Sequence, residues 1–227
     1  METSARSSLS PERQVFQAEA RQWLTDHPGT KGMSVITSLP DLSEMSNTSI
    51  SSWKQWFVAT ARQIIGWIPE DGVAIFYQSD IRINGFLINK AFLIMLAAEE
   101  ANSSLLWHKI VCRKPPGTVA MGRPSYSHML CVSRGLAPKN EFLGADVLAT
   151  AGEMIWSRAM GLSACEVACR YLRDATSTST VVDPFCGKGS ALAVANKLGF
   201  DAIGVDLSRS RCRSARNLVL DLDANRN

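Results

Sequence analysis

The stretch Thr180-Val-Val-Asp183-Pro-Phe185-Cys-Gly187-Lys-Gly189-Ser190-Ala-Leu-Ala-Val-Ala-Asn-Lys-Leu-Gly-Phe-Asp-Ala-Ile-Gly-Val-Asp206 decides the fold of this 227-residue chain. A β-branched run, Thr180 to Val182, meets a turn with two glycines, and an Ala/Leu-rich segment follows from Ala191 to Leu198. That pattern predicts strand, tight loop and helix. A second apolar run, Ala202 to Val205, ends in Asp206 and completes a β-α-β unit. Glycines admit a ligand to the backbone, the helix start offers free N–H groups, and an acid after the second strand can accept hydrogen bonds from two ribose hydroxyls. The unit therefore predicts a nucleoside-binding crevice.

The glycine spacing is neither G-x-G-x-x-G nor the G-x-x-x-x-G-K-[ST] frame that cradles a triphosphate. Asp183-Pro-Phe-Cys-Gly-Lys-Gly-Ser190 instead resembles the D-P-F-x-G-x-G-[ST] loop of S-adenosylmethionine-dependent methyltransferases, with Asp206 in their ribose-binding place.

Composition is compatible with one large α/β domain, expected over residues 11–223, behind a Ser-rich tail at residues 1–10 expected to be disordered. The last residues, 224–227, are expected to fray. A net charge of +3 permits a nucleic-acid partner without requiring one. No apolar run is long enough to span a membrane and the N-terminus has no signal-peptide core, so a cytoplasmic protein is expected. Six cysteines form no C-x-x-C pair and suggest a reducing compartment. No His/Cys cluster has ligand spacing, so no metal is expected.

Upstream of the opening unit, strands are expected at Val15-Phe16 (ending by Glu19), Met33 to Thr37, Val73 to Tyr77, Leu105 to Val111 and Tyr126 to Ser133. Helices are expected to begin at Ala20 and to cover Ile50 to Trp67, Lys90 to Ala101 and Met154 to Leu172, the last burying Met154, Ala159, Leu162, Cys165, Cys169 and Leu172. Trp53, Trp56 and Trp67 lie at helical spacing and read as core anchors. The last two strands, joined without a helix, favour an antiparallel hairpin at the end of the sheet. Gly135 to Gly144 reads as a surface loop, His27 as a loop histidine, and His108 and His128 as satisfied core histidines. Ser208 can cap a final helix whose Arg209, Arg211, Arg213 and Arg216 read as a solvated face more simply than as a nucleic-acid stripe.

Too few strands follow Asp206 to complete a methyltransferase sheet, so the missing ones must precede it and the order looks circularly permuted. It is similar to the permuted nucleobase-amine methyltransferases, which include cytosine-N4 and adenine-N6 DNA enzymes and related RNA enzymes. Gln17-Ala18-Glu19-Ala20 corresponds to their acid-bearing first strand, Thr37-Ser38-Leu39-Pro40-Asp41 to their T-S-P-P-[YFW] loop, and Trp107-His108-Lys109 with Arg123 to Ser133 to their W-x-K strand and Arg-containing hairpin. The resemblance implies a Rossmann-like class I methyltransferase fold with a mostly parallel seven-stranded sheet, helices on both faces, and S-adenosylmethionine as cofactor. It implies that Glu19, Thr37, Asp183, Phe185, Gly187, Gly189, Ser190 and Asp206 bind that cofactor.

The loop departs from the family where Ser-Leu-Pro-Asp replaces S-P-P-[YFW], an acid standing where an aromatic stacks on the extruded base. Ser38, Pro40 and Asp41 are the expected catalytic residues, with Asp80 assisting; Asp41 and Asp80 can equally be a solvated acid or a helix cap. Lys109, Arg113, Lys114 and Arg123 are expected to hold substrate. Little chain remains for reading duplex base edges, which favours RNA, tRNA in particular, over DNA as substrate. DNA amine methylation and a catalytically silent subunit of the same fold are the alternatives, and a homodimer or partner subunit is left open.

Overall fold

The computed structural model describes residues 10–220. The expected disordered tail lies outside them except for Ser10, as do residues 221–223 of the expected domain and the expected frayed end at residues 224–227.

The chain opens with β1 (Arg13–Gln17), α1 (Ala20–Asp26), β2 (Met33–Thr37), α2 (Ile50–Trp67), β3 (Ala74–Gln78), a short hairpin of β4 (Ile81–Ile83) and β5 (Phe86–Ile88), and α3 (Lys90–Glu100). It continues through β6 (Ser104–Cys112), β7 (Tyr126–Ser133), β8 (Val147–Leu148), α4 (Leu162–Ala175), β9 (Thr180–Asp183), α5 (Ser190–Lys197), β10 (Asp201–Asp206) and α6 (Arg209–Asn217). The main sheet has eight strands in the order β1-β10-β9-β2-β3-β7-β6-β8, one more than expected. The extra strand is β8, whose two residues pair parallel to Ile110 and Val111 at the sheet edge; two residues show no periodicity in sequence. The expected antiparallel hairpin is β6 and β7, and it lies at the end of the sheet with only the two-residue β8 outside it; β7 is its inner strand, paired antiparallel with β3 as well.

Both faces of this sheet are covered, so its central strands are apolar throughout. Side chains of β3 alternate between two cores: Ile75 and Tyr77 face α4 and α5, whereas Ala74 and Phe76 face α2 and α3. Trp53, Phe57, Ile64 and Ile65 anchor α2 on the second core, while Trp56 and Trp67 are only partly buried. The hairpin β4-β5 went unread in sequence although Asn84 and Gly85 both have positive φ, the requirement of a two-residue hairpin turn. Helix α4 begins eight residues later than expected, at Leu162, and Met154 is 43% exposed. The N–H groups of Leu162 and Ala164 donate to the carbonyls of Glu153 (2.8 Å) and Ala151 (3.1 Å). Residues 151–153 thus double back over the helix start and satisfy donors that have no intrahelical partner.

Strand order reverses between β9 and β2, and open α/β sheets place ligands at such a reversal. Because β1, β2, β3, β9 and β10 are parallel, Glu19, Ser38 to Asp41, Asp183 to Gly189 and Asp206 gather at one edge of the sheet. All six cysteines are free and buried, and no described helix is long and apolar enough to cross a membrane.

Candidate active site

Strand β9 delivers Asp183 to the reversal point. Its Oδ1 accepts the Thr37 hydroxyl at 2.7 Å and the Phe185 N–H at 3.0 Å, tying the ends of β9 and β2 together. Burial, with a smaller push from Asp206, raises this carboxyl to about 7. One strand over, Asp206 accepts the Gly187 N–H at 3.2 Å on one oxygen and the Ser208 N–H at 2.7 Å on the other. Each oxygen keeps a second lone pair for a ligand hydroxyl. Gly187 has φ +55°, and a Cβ there would stand 2.8 Å from the Trp156 ring, so the loop can pass only as glycine. Gly189, φ +87°, is required for a different reason: its Cβ would meet the backbone of Ala215 in α6 at 2.9 Å.

Ser190 Oγ is buried without a hydrogen-bond partner, and its residue lines the cleft with Asp183, Phe185, Gly187 and Asp206. An orphaned hydroxyl facing a cleft is what a polar ligand would satisfy. Next to it lies a cavity of about 300 Å³ bounded by Ala18, Glu19, Trp56, Phe185, Asp206 and Leu207. Glu19 caps α1 by accepting from the N–H groups of Arg21 (3.1 Å) and Gln22 (2.8 Å), which holds its carboxylate at the cavity wall. Trp56 packs edge-on against Phe185, ring centroids 6.1 Å apart. An apolar slot with an acid at each end suits an adenosine, so the residues present fit S-adenosylmethionine.

Ser38, Leu39 and Pro40 form the opposite wall of the cleft. The Pro40 carbonyl accepts the indole N–H of Trp53 at 3.2 Å, fixing the loop on α2. Asp41 is not free to take a proton from substrate: one oxygen pairs with Lys90 and the other with Arg123. Lys90 is almost wholly buried, and burial pulls its ammonium below the ordinary lysine range while Asp41 opposes that shift. The Asp41 N–H donates to Glu44 at 3.1 Å, and the other Glu44 oxygen pairs with Arg158 at 2.9 Å. The strap at residues 151–161 is thereby tied to the loop.

Two expected site residues are placed elsewhere. Asp80 is fully buried and accepts from Lys90 N (2.8 Å), Asn89 Nδ2 (3.4 Å) and His128 Nε2 (3.1 Å), with His108 and His128 in contact at 2.9 Å. It caps α3 from beneath the pocket, so it acts on the site by positioning Lys90. Lys109 is 2% exposed and donates to the carbonyls of Leu143 and Ala145, so this expected substrate contact instead pins the 134–146 loop. Arg113 and Arg123 do line the target side of the cleft, together with Tyr77 and Lys90. Lys114 lines an adjoining cavity.

Lys90, Glu44, Trp156, Arg158 and Arg211 were missed as site residues. Arg211 lies 3.7 Å from Asp206 and stacks over Trp156 at 5.3 Å, and Arg216 bonds the Val15 carbonyl, so the α6 arginines are not simply a solvated face. No motif marks the strap, and its residues from Met154 on continue the helical period of α4.

No family model matches the chain, and no curated protein matches it. Solved structures do. The PvuII DNA methyltransferase, cytosine-N4-specific, superposes with a TM-score of 0.72 over 94% of this chain and 89% of its own, at 14% identity. This chain shares the fold of that enzyme. A candidate DNA modification methylase from Thermus thermophilus, complexed with S-adenosyl-L-methionine, is similar over 90% of this chain and 92% of its own (TM-score 0.68, 18% identity). The Rossmann-like methyltransferase architecture expected from the sequence is therefore the one observed, with β9-α5-β10 last in the chain and next to β1 in the sheet.

Proposed function

We propose that this protein transfers a methyl group from S-adenosylmethionine to an exocyclic amine of a nucleobase in DNA. One observation carries this reading: the cofactor-type acids and the orphaned Ser190 hydroxyl line one cleft with Ser38, Leu39 and Pro40. The similar solved structures are DNA methylases, which favours DNA over the RNA expected from the sparse target-reading segments.

When bound, the cofactor supplies an electrophilic methyl group on a sulfonium. The chain supplies alignment and dryness. Asp206 and Glu19 orient the nucleoside, and Asp183 and Ser190 present polar atoms where the charged end lies. Ser38 and the carbonyls of its loop accept the target amine's hydrogens, which draws the lone pair out of conjugation. Asp41, committed to Lys90 and Arg123, holds the loop against α3 and the β6-β7 hairpin. Trp156 and the Arg158–Glu44 pair close the cleft against water.

The test is transfer of labelled methyl from S-adenosylmethionine into DNA, tRNA and rRNA, with Asp206→Ala as control. Label in DNA that the substitution abolishes supports the proposal. Label confined to tRNA overturns the choice of polymer, and no label in any pool with cofactor bound overturns the enzyme assignment.

A further inference from the structure

The loop between β6 and β7 and residues 150–154 of the strap enclose a cavity of about 320 Å³ that the transfer chemistry leaves unused. That volume falls in the range of roughly 300–1,000 Å³ typical of small-molecule sites. Arg113, Lys114 and Arg123 bring three cations to its wall, Met121, Pro124 and Met154 bring apolar surface, and no acidic side chain lines it. Met121 is 94% exposed. The cavity adjoins the target side of the cleft, with Arg113, Arg123 and Met154 lining both.

Its walls are held in place. The N–H groups of Arg113 and Lys114 both donate to the Ser125 carbonyl, at 2.7 and 3.1 Å, closing the neck of the hairpin loop. Ala151 N–H donates to the Cys112 carbonyl at 3.0 Å. A Cβ on Gly152, φ +78°, would lie 2.3 Å from Ser163 Oγ, so the strap turns here at a position only glycine fills.

Three cations and an apolar surface around one cavity, beside the target side of the cleft, match one occupant in size, charge and position. We propose that this cavity seats the nucleotide adjacent to the methylated one in the same DNA strand. Its phosphate lies on Arg113, Lys114 and Arg123, and its base lies against Met121, Pro124 and Met154. This rests on the DNA methyltransferase reading. A base inside the cavity is unstacked and unpaired, so the protein binds single-stranded DNA in preference to duplex.

The test reads binding separately from turnover. Anisotropy of a short fluorescein-labelled single-stranded oligodeoxynucleotide containing A and C is measured with the full chain and with the Lys114→Gln/Met121→Ser double variant. S-adenosylmethionine affinity and melting temperature serve as folding checks. The expected result is at least tenfold weaker binding by the variant, and at least tenfold tighter binding of the single strand than of the same sequence as a duplex. Equal affinity of variant and wild type, or a preference for duplex, overturns the inference. Methyl transfer from the same samples reports on the underlying reading: binding as described without transfer leaves the subsite standing and removes the enzyme assignment.

Discussion

The two walls of the cleft are built on different principles. On the cofactor wall, main-chain N–H groups a few residues away or on the adjoining strand do most of the holding: Phe185 on Asp183, where the Thr37 hydroxyl joins it, and Gly187 and Ser208 on Asp206. On the target wall, Asp41 is held by side chains at positions 90 and 123, from a helix and a hairpin loop far along the chain. The main-chain donors on Asp206 spend one lone pair of each oxygen and leave the other for a ligand, whereas two cations close on a carboxylate commit it to structure. The cofactor wall is thus poised for binding, and the target wall is locked by charge.

Breaking the lock should give the largest effect. Lys90→Met removes a buried partner of Asp41 and is expected to cost about 3–5 kcal/mol of stability, read as a lowered melting temperature. Adding Asp41→Asn should recover most of that loss, because the buried charge goes too; failure of the double variant to recover would show that Lys90 acts through something other than the pair.

The second test addresses Asp183. Its carboxyl titrates near 3.8 in the ordinary state and near 7 when folded, so its contribution to stability is fully present below about pH 4 and is lost as pH rises through 7. At ~1.4 kcal/mol per pKa unit, Asp183→Asn should become more stable than wild type by on the order of 4 kcal/mol across that window. Denaturant melts at pH 4 and pH 8 measure the difference, and parallel curves at both values would contradict the raised carboxyl.

A smaller loss is expected on the binding side. Asp206→Ala deletes the acceptor of two N–H groups and the nucleoside contact, which at roughly 1.5–3 kcal/mol for a charged hydrogen bond should weaken S-adenosylmethionine about 100-fold in calorimetry. The smallest effect belongs to Arg158→Gln: a half-exposed pair with Glu44 is worth about 0–1 kcal/mol, so cofactor affinity should change by less than tenfold. A larger change would make the strap a principal holder of cofactor.

The contrast between the walls also explains what was legible. Segment 180–206 carries its whole structure locally, with β-branched strands, glycines where φ must be positive and an acid at each strand end, so strand, loop and helix could all be read there. Met33–Thr37 and Ile50–Trp67 likewise have the bounds their periodicity predicts. Lys109 read as a substrate contact because a lysine on a strand carries no sign of which carbonyls its ammonium meets. Residues 154–161 of the strap read as helix because Ala159 and Leu162 continue the helical period of α4. Gly152 and Gly161, whose Cβ atoms would strike Ser163 and Ala151, mark where backbone instead packs on backbone.

By itself, the sequence determined the α/β class, the permuted order of elements and the strand-loop-helix unit at 180–206, since these depend on periodicity, turn residues and short-range hydrogen bonds. Only the tertiary structure decided that Asp41 is bound between Lys90 and Arg123, that Asp80 caps a helix and that Trp156 lies over Gly187. Those contacts join residues from 10 to 82 positions apart, and their partners are chosen by the packing of strands and helices, which no local pattern encodes.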